Sequence, residues 1–395
     1  MFSKPVILSA VRTAVGSFGG SLKNKTTVDL GVAAVKGAIE RAEIPAGQID
    51  EVILGCVGQY SLNAFLARIV ALKSGCAETS TAQTVNRLCA SGLQAIVTAA
   101  MLIESGDMDI TIGGGAESMS NYPYYLNSAR WGMRMGLGSN SVEDALTTAL
   151  AEPFTGVNTH IATTAEKIAE KYSISRKELD EYALQSQERA LAAIQQGVFK
   201  EQIIPIEIEE KNQTRLFDID EYPRSTTLEK LSGLKPFAKS DGVITAGNAS
   251  GINDGAAAMV LVNDEKAKAL GLRPIARLLD YAVAGIDPSI MGLGPVFSTR
   301  KLIEKTGIPL HDIDLIELNE AFAAQAIACI RDLGLDPARV NVNGSGISLG
   351  HPIGATGAVI SVKLIHELIQ RKKRYGISTL CIGGGQGMSA LFEVL

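Results

Sequence analysis

Three landmarks recur along this chain in the same order, roughly 260 to 270 residues apart. "IDEVILG" from Ile49 is answered by "IDLIELN" from Ile313. "LCASGLQA" around Cys89 is answered by "LGHPIGATGA" around His351. "TIGGGAESMS" from Thr111 is answered by "CIGGGQGMSA" from Cys381. One matching glycine run would mean little. Three in register imply an internal duplication, and 395 residues are enough for two similar lobes. Short β-rich runs (PVILSAV, DEVILGCV, DITIGGG, AAAMVLVN, IDLIELN, STLCIGGG) alternate with amphipathic stretches such as TVDLGVAAVKGAIERA and GAVISVKLIHELIQRKK. That alternation predicts an α/β fold. The stretch from about Ser120 to Ala246 has no counterpart in the second half and reads as an insertion. The expected division is 1–119 with 247–265 as the first half, 120–246 as the inserted loop domain, and 266–395 as the second half.

The duplication carries a chemical consequence. Equivalent loops of two related halves can meet at a pseudo-twofold axis, and α/β folds place their sites at strand C-ends. Cys89, His351 and Cys381 would then converge from distant parts of the chain. Cys89 precedes an amphipathic stretch, and a helix N-terminus is one of the few settings that favours a thiolate. A buried apolar cysteine is the plainer alternative for this residue alone. His351 lies in "NVNGSGISLGHPIGATG", whose glycines let the backbone turn sharply, and Pro352 biases it toward extended geometry. Histidine is scarce here, with four in the chain. One set in a glycine loop reads as functional, whereas His366 reads as a helix-surface residue. The glycines of "CIGGGQGM" offer backbone N–H groups for an anion hole. Asn319 and Glu320 in "ELNEAFAAQ" sit between a strand and a helix, where a helix N-cap is the ordinary use of Asn.

Other classes find little support. The net charge is −5, and no Lys/Arg stripe is interleaved with aromatics, so no nucleic-acid partner is expected. The one basic cluster, Arg371–Arg374, reads as a solvated helix end. Five scattered cysteines with no CxxC pair and no Cys/His ligand spacing support neither a disulfide framework nor zinc. No signal-peptide pattern, no bilayer-length apolar run and no peroxisomal tripeptide is evident, so a cytoplasmic location and no membrane partner are expected.

The motifs "VNRLCASG", "ESMS", "RWGMRMG", "TAGNASGINDGAA", "LNEAFAAQ", "NVNGSGISLGHPIGATG" and "CIGGGQGM" together resemble those of the thiolase family, of the acetyl-CoA acetyltransferase type, in family order across the whole chain. The resemblance implies a thiolase fold. In it, two βαβαβαββ halves form a five-layered αβαβα core carrying an inserted loop domain. It implies an acyltransferase that condenses two acetyl-CoA to acetoacetyl-CoA and CoA, reversibly, through an acyl-Cys89 thioester. His351 matches the base for Cys89, Asn319 the holder of an oxyanion-hole water, and Cys381 the second acid/base. The N–H groups of Cys89 and Gly383 match a second oxyanion hole. Ser250, His160, Ala246 and Phe322 match positions of the pantetheine and acyl pocket, and Arg224 an arginine near the adenine phosphate. Coenzyme A would be substrate and product, with 3-ketoacyl-CoA as the condensed partner and no separate cofactor or metal. "SMSNYPYYLNSARWGMRMG" matches a tetramerisation segment, implying a homotetramer built as a dimer of dimers.

Departures fall around the pocket. "HIA" at His160–Ala162 stands where the family often has HMG, and "LKPFA" places Phe237 one residue early. Acyl chain length is the property these changes leave open, so a degradative 3-ketoacyl-CoA thiolase of longer-chain preference is the rival. A ketosynthase-like enzyme would lack Cys381, and a non-enzymatic relative should have lost one of the three reactive residues.

Overall fold

A computed structural model describes residues 4–132, 142–154, 159–210 and 213–395. Residues 133–141, which hold most of the RWGMRMG stretch of the expected tetramerisation segment, lie outside the described residues. The principal strands are β1 (Pro5–Thr13), β2 (Glu51–Gly55), β3 (Thr81–Val85), β4 (Ile110–Ser118), β5 (Asn253–Asn263), β6 (Ala276–Gly285), β7 (Leu315–Leu318), β8 (Tyr375–Ile382) and β9 (Gln386–Val394). The principal helices are α1 (Thr27–Ala42), α2 (Leu66–Lys73), α3 (Ser91–Glu104), α4 (Ala162–Lys171), α5 (Arg176–Gln195), α6 (Gly294–Thr306), α7 (Ala323–Leu333) and α8 (Thr356–Arg371).

The strand order is β3-β2-β4-β5-β1 followed by β6-β9-β8-β7, mirrored about the join except that edge strand β3 has no counterpart. In each half two antiparallel pairings, β1–β5–β4 or β6–β9–β8, are followed by a parallel one. The two sheets meet edge to edge, with Ile7 paired to Ala276. α1 and α2 cover one sheet, α6 covers the other with Ala326 and Cys329 of α7 packed beside it against Ile316, Leu318 and Ile377, and α3 and α8 lie between the sheets. This is the five-layered αβαβα arrangement expected.

The layers explain the sequence. Strands covered on both faces carry near-continuous apolar runs; every residue of β1 and β4 is buried. A helix between two sheets must be apolar on nearly all sides. α8 accordingly buries all its residues from Thr356 to Ile365, and its Lys363 pairs with Glu317 at 2.9 Å and donates to the Gly344 carbonyl at 2.6 Å. α1 shows its start in sequence: Thr26 caps it, and Asp29 returns the bond to complete a capping box.

The central helices cross at glycines. A Cβ on Gly92 would lie 2.8 Å from the Ala358 nitrogen, and one on Gly357 would lie 2.6 Å from the Leu93 nitrogen. The contact is reciprocal, as a pseudo-twofold axis demands. The glycine-run landmark is different. β2 pairs Glu51 with Thr111, and β7 pairs Leu315 with Gly376. Gly113–Gly115 are therefore strand-interior residues, whereas Gly383–Gly385 form the β8–β9 hairpin loop. The two IGGG runs look alike but are not structural equivalents. Gly113 lets α3 approach closely, its Cβ position being 2.5 Å from the Ile96 Cα.

The described residues between 120 and 246 pack onto both halves. Ile203–Ile204 pairs in parallel with Arg12 and Thr13 of β1. Arg12, 1 % exposed, makes a two-pronged ion pair with Asp220 at 2.7 and 2.8 Å and takes Gln202 at 2.7 Å. α4 packs on α7, and α5 packs on the short helix Gly346–Leu349. Among the described residues no helix is long and apolar enough to cross a membrane. His366 is not a free surface residue as expected: it is half-buried, and its Nε2 donates to the Ala10 carbonyl at 2.8 Å.

Candidate active site

Cys89 sits in the tight turn between β3 and α3, immediately before the helix. Leu88 adopts φ +45°, a left-handed conformation that costs a branched residue about 1–3 kcal/mol. Local bonds hold it there. Asn86 Oδ1 accepts from the Leu88 N–H at 2.9 Å, and Ser91 Oγ accepts from Arg87 N–H while donating to the Leu88 carbonyl at 2.6 Å. The turn presents the Cys89 sulfur to the cavity beside the backbone N–H of Gly383, which favours its thiolate. Burial outweighs that N–H, and the thiol is pushed up from its ordinary value. The helix N-terminus alone therefore does not yield a resting thiolate, and the sulfur needs a base.

His351 lines the same cavity as Cys89. Its loop is gripped on both sides of the ring. Asn253 Oδ1 accepts from the His351 backbone N–H at 2.9 Å, and Asn253 Nδ2 donates to the Gly16 carbonyl. Gly350, at φ +100°, leaves room for Asn253, which a Cβ would meet at 2.5 Å. The ring Nδ1 lies 2.6 Å from Thr356 Oγ1, and the Thr356 hydroxyl donates to the Pro352 carbonyl at 2.8 Å. With its one proton so used, Thr356 must accept from Nδ1–H. Nε2 is left as the free lone pair. Burial lowers the imidazole pKa to about 4, so the ring is neutral at pH 7.

Nε2 faces Asn319 Nδ2 at 3.5 Å. Asn319 is fully buried, and its Oδ1 has no partner among the described residues. It does not cap α7, whose N-cap is Phe322. Glu320 turns away from the cavity and accepts from Ser186, Tyr182 and Asn341. Cys381 closes β8, 1 % exposed, and its thiol is pushed well up by burial, then by charge on Cys89 and Cys329. The sequence separates Cys89, His351 and Cys381 widely, yet all three line one cavity of about 870 Å³, together with Gly383.

His160, Ala246, Ser250 and Phe322 also line that cavity. Ser250 is fixed by its N–H to the Ala321 carbonyl at 2.9 Å, and Ala249 bridges to Phe322. His160 Nδ1 accepts from the Ala162 N–H at 3.1 Å, and its ring stands edge-on to Phe237 at 5.4 Å. Arg224 is exposed and outside the lining. Its guanidinium lies over Tyr222 at 5.1 Å and reaches the Ala246 carbonyl at 3.4 Å. Leu88, Phe154, Ile161 and Tyr222 line the cavity without having been singled out from sequence. Of these, Ile161 had a signal, the departure from HMG. Thr356 and Asn253 were missed because neither is unusual in type; only the fold shows what they hold. Among the described residues no group of three or more His, Cys, Asp or Glu could hold a metal.

The arrangement can move a proton from a thiol to an imidazole, hold a covalent thioester, and stabilise an oxyanion with backbone N–H groups. Residues 5–265 match the family model "Thiolase, N-terminal domain", and residues 272–394 match "Thiolase, C-terminal domain". The chain is 50 % identical to the beta-ketothiolase BktB of Cupriavidus necator, with both chains covered over their full length. It superposes on the crystal structure of the Bacillus anthracis acetyl-CoA acetyltransferase with TM-score 0.96 at 48 % identity, covering 100 % of this chain and 99 % of that one. On the human mitochondrial 3-ketoacyl-CoA thiolase in complex with CoA the TM-score is 0.95 at 41 % identity, covering 100 % and 98 %. Matched along almost its entire length in sequence and in fold, the chain belongs to the thiolase family.

Proposed function

We propose that this chain is an acetyl-CoA acetyltransferase: it condenses two acetyl-CoA to acetoacetyl-CoA and CoA, and runs the thiolysis in reverse. The observation that carries the reading is the placing of Cys89 and His351, from loops of the two halves, and Cys381, near the end of β8, in the lining of one cavity beside the Gly383 N–H. In the first half-reaction Cys89 Sγ attacks the acetyl-CoA carbonyl as His351 Nε2 takes the thiol proton. The C–S bond to CoA breaks, CoA leaves as the thiol with the Cys381 proton, and an acetyl-Cys89 thioester remains beside the Cys381 thiolate and the protonated His351. One thioester replaces another of similar energy, which suits sulfur better than oxygen. The N–H groups of Cys89 and Gly383 would carry the oxyanion; each such donor is worth about 3 kcal/mol in the barrier.

In the second half-reaction Cys381 removes a proton from the α-carbon of a second acetyl-CoA. The enolate oxygen is held by His351 Nε2–H and by a water on Asn319, whose buried Oδ1 has no protein partner among the described residues. The carbanion attacks acetyl-Cys89, the C–C bond forms, the C–S bond to Cys89 breaks, and Cys89 departs as the thiol with the proton returned from His351 Nε2. Both half-reactions move protons and exchange acyl groups without electron transfer, so CoA enters as substrate and leaves as product. Ser250, His160, Ala246 and Phe322 would line the pantetheine and acyl path, with Arg224 beyond the cavity toward the nucleotide end.

Relatives named beta-ketothiolase and acetyl-CoA acetyltransferase, at 48–50 % identity, stand nearer than the 3-ketoacyl-CoA thiolase at 41 %. This supports the short-chain reading over the degradative one. The test is CoA-dependent cleavage of 3-ketoacyl-CoA thioesters of increasing length. Highest kcat/KM on acetoacetyl-CoA is expected. A rate that climbs steadily with chain length would replace the reading with the degradative one, and no cleavage of any member would remove it.

A further inference from the structure

Glu117, the glutamate of "GGGAESMS", is fully buried at the end of β4 and belongs to none of the roles above. Its Oε2 accepts from the Val57 N–H at 2.8 Å and the Gly354 N–H at 2.9 Å. Its Oε1 accepts from the Gly58 N–H at 3.1 Å, the Tyr122 hydroxyl at 3.0 Å and, more weakly, the Cys56 thiol at 3.7 Å. Both oxygens receive backbone N–H groups, which favour the carboxylate, while burial opposes them and pushes the carboxyl up from its ordinary value. Val57 and Gly58 follow β2 in the first half, whereas Gly354 lies three residues after His351 in the second.

Resting on the thiolase reading above, we infer that Glu117 is a positioning residue for His351, clamping the imidazole-bearing loop of one half to the strand ends of the other. The seat is close-fitting. A Cβ on Gly115 would lie 2.4 Å from the Gly354 oxygen, one on Gly55 2.7 Å from it, and one on Gly354 2.3 Å from Glu117 Oε2. Gly354 is thus held by its N–H on the carboxylate and by its carbonyl in a notch between two strand glycines. Asn253 fixes the loop before the ring, Thr356 fixes the ring, and Glu117 fixes the loop after it. The effect is geometric: burial alone accounts for the direction of the His351 shift, with no contribution from the Glu117 charge. A base displaced by 1 Å loses much of its effect on the rate.

The experiment compares Glu117→Gln and Glu117→Asp with the native chain in acetoacetyl-CoA thiolysis, with rates normalised to sites titrated by complete alkylation of Cys89. Gln keeps the shape but sets an NH₂ against donors. Asp keeps the charge but is one methylene too short to span Val57 and Gly354. Both should lose kcat at least about tenfold with KM for CoA held within about threefold, and the rate of Cys89 alkylation by iodoacetamide at pH 7 should fall in step. Should Gln leave no folded protein, the Asp variant decides alone. Normalised kcat within threefold of native, a rise in KM that matches the fall in kcat, or full recovery by Asp would overturn the inference. An active native enzyme with unaffected variants defeats this inference alone; a native chain that cleaves no 3-ketoacyl-CoA defeats the thiolase reading and this one with it.

Discussion

Thr356→Val removes one oxygen and leaves the side-chain shape unchanged. In the native chain that oxygen accepts from His351 Nδ1–H at 2.6 Å and so keeps the proton off Nε2. Valine leaves the Nδ1–H buried and unpaired, a cost of about 1–3 kcal/mol. The ring can escape by shifting its proton to Nε2, which then has no lone pair for Cys89. If the two tautomers are near balance without Thr356, a bias of 1–3 kcal/mol translates into a drop of about 5- to 150-fold in kcat, since each 1.36 kcal/mol is tenfold. Thr356 is 1 % exposed and does not line the cavity, so KM for CoA should stay put. Thr356→Ser keeps the hydroxyl and should recover most of the rate. Steady-state acetoacetyl-CoA thiolysis at saturating CoA reads the effect. A native kcat in the valine variant, or a serine variant as slow as valine, would refute the assignment of the proton to Nδ1.

The depressed His351 pKa has two pH consequences. The base is lost only as pH falls through about 4, so the acid limb of kcat/KM should lie near there; a limb centred at the ordinary 6.5 would contradict the burial argument. Between about pH 6.5 and 4 the unfolded chain binds more protons at this site than the folded one. Stability therefore falls as pH drops through that window, by up to about 3 kcal/mol, and His351→Asn should flatten that slope in denaturant titrations. Arg12→Leu strands Asp220 in the interior with little beyond the Val15 N–H, and should cost about 3–5 kcal/mol in urea unfolding. Arg12→Leu combined with Asp220→Leu should regain most of that; a single variant costing under about 1 kcal/mol would show that the pair does not anchor the inserted segment.

The layered fold was legible because the duplication leaves long-range marks that local patterns cannot mimic. β1, β2, β4, β5 and α1 announce themselves by apolar runs and by the Thr26–Asp29 cap. β3 was not legible: TAQTV is polar and half-exposed at the sheet edge, where pairing rather than burial makes the strand. β9 was not either, since QGMSALFEV mixes glycine and serine into a buried run. Reactive residues such as Cys89 and His351 stood out by type and context, and the cavity brings them together. Their supports did not stand out. Asn253, Thr356 and Glu117 are ordinary residues whose importance lies in which backbone atoms they hold across the two halves. The IGGG match misled because glycine serves two purposes, close packing inside β4 and a tight hairpin after β8.

The central claim is that Cys89 carries the acyl group and Cys381 moves the α-proton. The direct measurement is trapping of label from [acetyl]-CoA on denatured protein, run beside condensation on Cys89→Ala and Cys381→Ala. The account predicts no label and no turnover for Cys89→Ala, and stoichiometric label with no acetoacetyl-CoA for Cys381→Ala. Label retained by Cys89→Ala, or acetoacetyl-CoA formed at the native rate by Cys381→Ala, would contradict it.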